Sequence, residues 1–152
     1  MKTLEQYQLL AQQTISLIEG EPDLTANLAN ISALLNMNFE NINWVGFYLL
    51  KDDQLVLGPF QGNVACVRIA LGKGVCGTAF STNTIQRIAD VHEFAGHIAC
   101  DAASQSEIVL PINVGGKTIG VLDIDSPITN RFNEIDEQGL TLVIEALQKH
   151  LI

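Results

Sequence analysis

The hydrophobic period of this chain changes twice, and that change restricts the fold more than any single motif does. Over roughly the first forty residues the apolar positions recur at helical intervals: Leu9, Leu10, Ile15, Leu17 and Ile18 follow a Thr3-Leu4-Glu5-Gln6 segment with capping-box spacing. Gly20 and Pro22 interrupt the pattern, and Asp23 is placed to cap a second helix carrying Leu24, Leu28, Ile31, Leu34 and Leu35. From Asn43 the sequence reads as extended chain. Residues 44–50 and 55–60 form a hairpin around Lys51-Asp52-Asp53-Gln54, and 66–71 form a third strand that starts at Cys66. Gly72-Lys73-Gly74 is a sharp break before a short helix at 75–82, and 85–91 is a further strand. A closing hairpin joins 108–114 to 117–125 through Gly115-Gly116, and Asn133 caps a last helix carrying Ile135, Leu140, Val143, Ile144 and Leu147. Helices at both ends with hairpins between them predict an α+β fold, a mainly antiparallel sheet with helices packed on it. Its 152 residues suit one domain spanning 1–152, with no internal repeat or linker.

Charge and cysteine usage narrow the function. Seventeen acidic side chains face eight basic ones, a net charge of −9, which argues against binding nucleic acid because phosphate affinity comes from clustered Lys and Arg. No apolar run approaches the length of a membrane span, and Glu and Gln interrupt every possible signal core near the N-terminus, so a cytoplasmic location is expected. Cys66, Cys76 and Cys100 are odd in number and show no C-x-x-C spacing, the pattern of reduced thiols rather than of a disulfide framework.

The irregular stretch 91–105 is where chemistry is sought, since long structureless segments in compact domains are usually functional. Cys100 lies there among small residues, approachable by solutes, with Cys66 and Cys76 as candidate resolving thiols. Three small buried hydrophobes would give the same sequence. A zinc site built from Cys66, Cys76, His92, His97 and Cys100 is disfavoured by the wide spacing, and both histidines read more simply as loop residues bonded to backbone. Gly72-Lys73-Gly74-Val75-Cys76-Gly77 fits G-x-G-x-x-G, but its strands are antiparallel and no acid lies at the required distance, so a plain turn is preferred to a dinucleotide site. Asp123 and Asp125 leave one face of their strand, and Glu107 could point the same way. A solvated face is the plainer reading of those acids. Converged and buried, they would instead call for a cation or force one carboxyl to keep its proton. Trp44 and Tyr48, four apart, also share a face, and Trp44 reads as core before it reads as a ligand wall.

Taken in order, Asn43-Trp44-Val45-Gly46-Phe47-Tyr48, Leu57-Gly58-Pro59-Phe60-Gln61-Gly62, Gly72-Lys73-Gly74-Val75-Cys76-Gly77, Gly96-His97-Ile98-Ala99-Cys100-Asp101, Ser106-Glu107-Ile108-Val109-Leu110-Pro111 and Gly120-Val121-Leu122-Asp123-Ile124-Asp125-Ser126-Pro127 resemble the free methionine-(R)-sulfoxide reductase family, a catalytic branch of the GAF fold. The resemblance runs from about Asn43 into the final helix; Ala70-Leu71 departs from it where a Pro-aromatic type of pair is expected. It implies a six-stranded antiparallel sheet flanked by helices and usually a homodimer. It further implies Cys100 as nucleophile, Cys66 as the main resolving thiol with Cys76 able to exchange, and Trp44, Tyr48, Glu107, Asp123 and Asp125 as the substrate pocket. No metal or bound cofactor is implied, and a thioredoxin and NADPH system would be the external reductant. Elementary chemistry is consistent: a sulfoxide oxygen must be protonated before its bond to sulfur breaks, and a crowded acid can supply that proton. The competing readings are a non-catalytic GAF module that binds a small ligand, which would tolerate serine at Cys100 and Cys66, and a structural zinc protein, which would carry metal.

Overall fold

A computed structural model describes residues 2–97 and 102–152. Its elements are helices α1 (Leu4–Ile18) and α2 (Leu24–Asn38), strands β1 (Trp44–Lys51), β2 (Gln54–Gly62) and β3 (Arg68–Ala70), helix α3 (Gly74–Thr82), strands β4 (Gln86–Ile88), β5 (Ser106–Val114) and β6 (Lys117–Ser126), and helix α4 (Glu134–His150). The strands form one six-stranded sheet in the order β3-β2-β1-β6-β5-β4. Every neighbouring pair is antiparallel. The fold is α+β, with a wholly antiparallel sheet.

Local chemistry accounts for the element ends. The Gln6 backbone N–H donates to Thr3 Oγ1 at 3.2 Å and the Thr3 N–H donates to Gln6 Oε1 at 2.8 Å, closing the capping box of α1. The Ala26 N–H donates to Asp23 Oδ2 at 2.8 Å at the start of α2. Asp52 and Asp53 both take positive φ, as do Gly115 and Gly116, which is what two-residue hairpin turns require.

The period-two pattern splits the sheet into two faces. Val45 and Phe47 of β1, Ile108, Leu110 and Ile112 of β5, and Leu122 and Ile124 of β6 pack with Tyr7, Leu10, Leu35, Leu140 and Leu147 of the long helices into the larger core. The alternate positions turn to the other face, where Trp44, Tyr48, Val109 and Val121 pack with Val75, Cys76 and Ala79 of α3. Helix α3 is therefore a lid over one half of the sheet.

Two strands are shorter than the sequence predicts. β3 begins at Arg68, so Cys66 lies in the β2–β3 connection rather than at a strand start. The reason is local: the Trp44 indole N–H donates to the Asn63 carbonyl at 3.2 Å and the Tyr48 hydroxyl donates to the Cys66 carbonyl at 2.9 Å, drawing this segment off the ladder and onto the aromatic face. β4 stops at Ile88, because Asp90 accepts from the His92 N–H at 3.0 Å and caps a 3-10 turn over Val91–Glu93.

Candidate active site

The register places the polar residues of the α3 face beside one another. Trp44 of β1 pairs with Asp125 of β6, and Asp125 pairs in turn with Glu107 of β5, so an aromatic and two carboxyls form one row across three strands. Asp123 lies two positions further along β6, opposite Gly46 and Val109, on the same face. Gly46 is required there by close approach, since a Cβ would lie 2.2 Å from the Phe60 Cβ. The space it leaves lets Phe60 stack on Trp44 with ring centroids 5.1 Å apart, while Tyr48 stacks on Trp44 at 5.9 Å.

Helix α3 closes the site from above. Gly72 and Gly74 take positive φ, and the Gly72 N–H donates to the Gly77 carbonyl at 3.0 Å, so the chain reverses tightly between β3 and α3. The G-x-G-x-x-G segment thus serves as a turn between an antiparallel strand and a helix. It delivers Cys76, in the first turn of α3, onto the acids. The Cys76 thiol donates to Glu107 Oε2 at 3.9 Å.

The resulting pocket, a cavity of about 50 Å³, has an aromatic wall of Trp44 and Tyr48 and a floor of Glu107, Asp123, Asp125 and Cys76. Val64 and Ala65 of the β2–β3 connection, Lys73 and Val75 at the start of α3, and His97 and Ser104 complete it. The expectation of a solvated acidic face is overturned: Glu107 is 6% and Asp123 5% exposed. Helix α3 covers the face that the strand pattern alone leaves open. Trp44 is both things the sequence allowed, a 3% exposed core residue and a wall of the cavity.

Electrostatics follow from that burial. Glu107 is held well above the usual carboxylate range, first by desolvation and then by the charges of Asp123 and Asp125. Asp123 is also raised by burial, but its hydrogen bonds with Glu107 and Cys76 oppose the rise. The bond between the two acids raises Glu107 and lowers Asp123, so the proton resides on Glu107 and Asp123 accepts it. Asp123 Oδ1 nevertheless has no hydrogen-bond partner among the described residues, an expensive condition for a buried oxygen. Burial, then the charges of Asp123, Glu107 and Asp125, pushes the Cys76 thiol up, which keeps it in the protonated, less nucleophilic form at neutral pH. Tyr48 is raised by burial and by Asp123, keeping its phenol a hydrogen-bond donor.

Of the residues singled out from sequence, Trp44, Tyr48, Glu107, Asp123, Asp125 and Cys76 meet at this pocket. Cys66 stands at its edge, its carbonyl held by Tyr48, and is disulfide-bonded, while Cys76 is a free thiol. Cys100 lies outside the described residues. Lys73 and Ser104 were not anticipated, and His97 was weighed from the sequence only as a zinc ligand or a loop histidine bonded to backbone. His97 lines the cavity, with its imidazole pKa lowered by desolvation and by His92. His92 instead turns to Asp90, its Nδ1 3.0 Å from the carboxylate. The one available signal for His97 was its place in the irregular segment.

A six-stranded antiparallel sheet whose α3 face carries a pocket is the architecture of a GAF domain, and the GAF domain family matches residues 30–148. Within that class the chain belongs to the free methionine-(R)-sulfoxide reductase family. It is 58% identical to the free methionine-R-sulfoxide reductase of Escherichia coli (strain K12), with 99% of this chain and 92% of that protein aligned. Protein YtsP of Bacillus subtilis (strain 168) is 61% identical over 95% of this chain and 90% of its own length. Among solved structures, the reduced form of fRMsr of Staphylococcus aureus superposes with a TM-score of 0.94 at 57% identity, covering 96% of this chain and 95% of that one. The same protein in complex with substrate superposes with a TM-score of 0.92.

Proposed function

We propose that this chain, as one catalytic domain spanning 1–152, reduces free L-methionine (R)-sulfoxide to L-methionine. The observation that carries the reading is a buried Glu107, held above the usual carboxylate range by burial and its acidic neighbours, next to an Asp123 oxygen without a hydrogen-bond partner among the described residues, both lining a cavity with an aromatic wall. In this reading Asp123 and Asp125 receive the α-ammonium, Trp44 and Tyr48 receive the S-methyl group, and Glu107 protonates the sulfoxide oxygen. The activity of the relatives named above, and the substrate complex of one of them, support the assignment.

Cys100 is the nucleophile. The Cys100 sulfur attacks the sulfoxide sulfur and an S–S bond forms; the oxygen takes the thiol proton and the Glu107 proton and leaves as water. A water then attacks the Cys100 sulfur, the S–S bond breaks with methionine as the leaving group, Glu107 recovers its proton, and Cys100 is left as a sulfenic acid. The Cys66 thiol then attacks that sulfur, water departs, and a Cys66–Cys100 disulfide forms. Methionine sulfoxide has gained two electrons and the two thiols have lost them. Cys66's engagement in a disulfide supports this pairing, and Cys76, buried in the first turn of α3, is a slower exchange partner. A thioredoxin-type dithiol, ultimately drawing on NADPH, reduces the disulfide, which places the cycle in the cytoplasm. The working unit is a homodimer, to which the outward Leu9 and Leu17 of α1 offer apolar surface.

The test is a single turnover without external reductant. The fully reduced chain is expected to release a stoichiometric amount of methionine and become oxidised at Cys66 and Cys100. Cys66→Ser should still release methionine but leave a sulfenic acid trappable by dimedone, whereas Cys100→Ser should release none. Methionine release by Cys100→Ser would overturn the assignment of the nucleophile.

A further inference from the structure

Cys76, Glu107 and Asp123 each offer a ligand atom, and these atoms all lie within 4.8 Å of one another. Cys76 Sγ and Glu107 Oε2 are 3.9 Å apart. Tetrahedral zinc, with bonds of about 2.3 Å to sulfur and about 2.0–2.2 Å to carboxylate oxygen, separates such ligands by roughly 3.5 Å, so Cys76 and Glu107 stand near that spacing and side-chain rotations of about an ångström complete the set. The three residues sit on rigid elements, α3, β5 and β6. The second observation is Asp123 Oδ1, buried in the cavity wall without a hydrogen-bond partner among the described residues, which is the condition of an oxygen lacking its cation.

The geometry points to a three-ligand site for a borderline divalent cation, zinc or cobalt, formed by Cys76 Sγ with carboxylate oxygens of Glu107 and Asp123. Its fourth position opens to the cavity. The ligand set selects the metal: a thiolate with two carboxylates suits zinc and cobalt, whereas magnesium and calcium require oxygen throughout. This is a different set from the widely spaced cysteines and histidines considered in the sequence. Cys76 and Glu107 must release their protons when metal enters. A cation there occupies the charge that, on the reading given above, the substrate ammonium uses. Metal and methionine therefore exclude one another, and the metal is an inhibitor of the site rather than a resident cofactor.

Cobalt(II) titration of the disulfide form tests the site, because Cys66 is then unavailable and Cys76 is the free thiol among the described residues. The expected result is a single bound equivalent with a thiolate-to-cobalt charge-transfer band, displaced by zinc and weakened by millimolar methionine. Cys76→Ser should abolish the band with far-UV circular dichroism unchanged, and Asp123→Asn should weaken binding at least about tenfold. Absence of the band in the native chain, its survival in Cys76→Ser, or unchanged affinity in Asp123→Asn would overturn the site. Binding is read without turnover. An inactive chain that binds cobalt therefore contradicts only the reductase reading, and an active chain that binds none contradicts only the metal site.

Discussion

Glu107→Gln is expected to lower the rate of methionine release by about a hundred- to ten-thousand-fold, the usual worth of a positioned general acid. The amide keeps the shape of the carboxyl and can donate a hydrogen bond, but it has no proton to transfer to the sulfoxide oxygen. The loss should fall on kcat, because Asp123 and Asp125 still receive the ammonium. Burial and the neighbouring acids hold Glu107 protonated well above the ordinary carboxylate range, so wild-type activity should persist through neutral pH and decline as pH rises through the elevated Glu107 pKa. Unfolding cannot account for such a loss. Between the unfolded pKa of about 4.3 and the higher folded value, the native state binds more protons than the unfolded chain, so Glu107 makes stability fall as pH rises. Glutamine removes that pH-dependent cost, and thermal unfolding of the variant beside the parent at neutral pH checks that the fold is kept. A kcat within about threefold of the parent would show that the proton comes from elsewhere.

Acetylating the substrate nitrogen should be nearly as damaging as losing the acid. N-acetylmethionine (R)-sulfoxide retains the sulfoxide and S-methyl groups but carries no ammonium. Asp123, 5% exposed and with an oxygen that has no hydrogen-bond partner among the described residues, would then be covered by a neutral amide. A site built around a polar group typically rejects an analogue lacking it by about 10⁴-fold in kcat/KM, because its own buried groups are left uncompensated. Peptide-bound methionine sulfoxide lacks the same ammonium and should be rejected for the same reason. Comparison of kcat/KM for the free and acetylated substrates checks this, and a ratio below about tenfold would mean that the carboxyls do not read the ammonium.

The parts of this site that were legible in the sequence are those fixed by local periodicity. Trp44 with Tyr48, and Asp123 with Asp125, share faces because their spacings are even, and both hairpin turns followed from Asp52-Asp53 and Gly115-Gly116. Alternation says which residues share a face but not what covers that face. The burial of Glu107 and Asp123 depends on α3 folding back over β5 and β6, a tertiary contact that leaves no periodic trace in the strands. The row of Trp44, Asp125 and Glu107 depends on register between three strands, of which only the last hairpin is set by a short turn. The Cys66 segment was misjudged because its apolar neighbours read as strand, whereas the Trp44 indole and the Tyr48 hydroxyl take two of its carbonyls. The pocket-lining place of Lys73 and His97 was not legible because each sits in a turn or loop whose wall-forming role exists only once the chain has folded.

The most direct test of the proposed chemistry is methionine release from resolved free methionine R- and S-sulfoxides, supplied with thioredoxin, thioredoxin reductase and NADPH. Steady turnover of the R epimer alone, abolished in Cys100→Ser, is the predicted result. Turnover of neither epimer by the folded, reduced chain, or equal turnover of both, would contradict it.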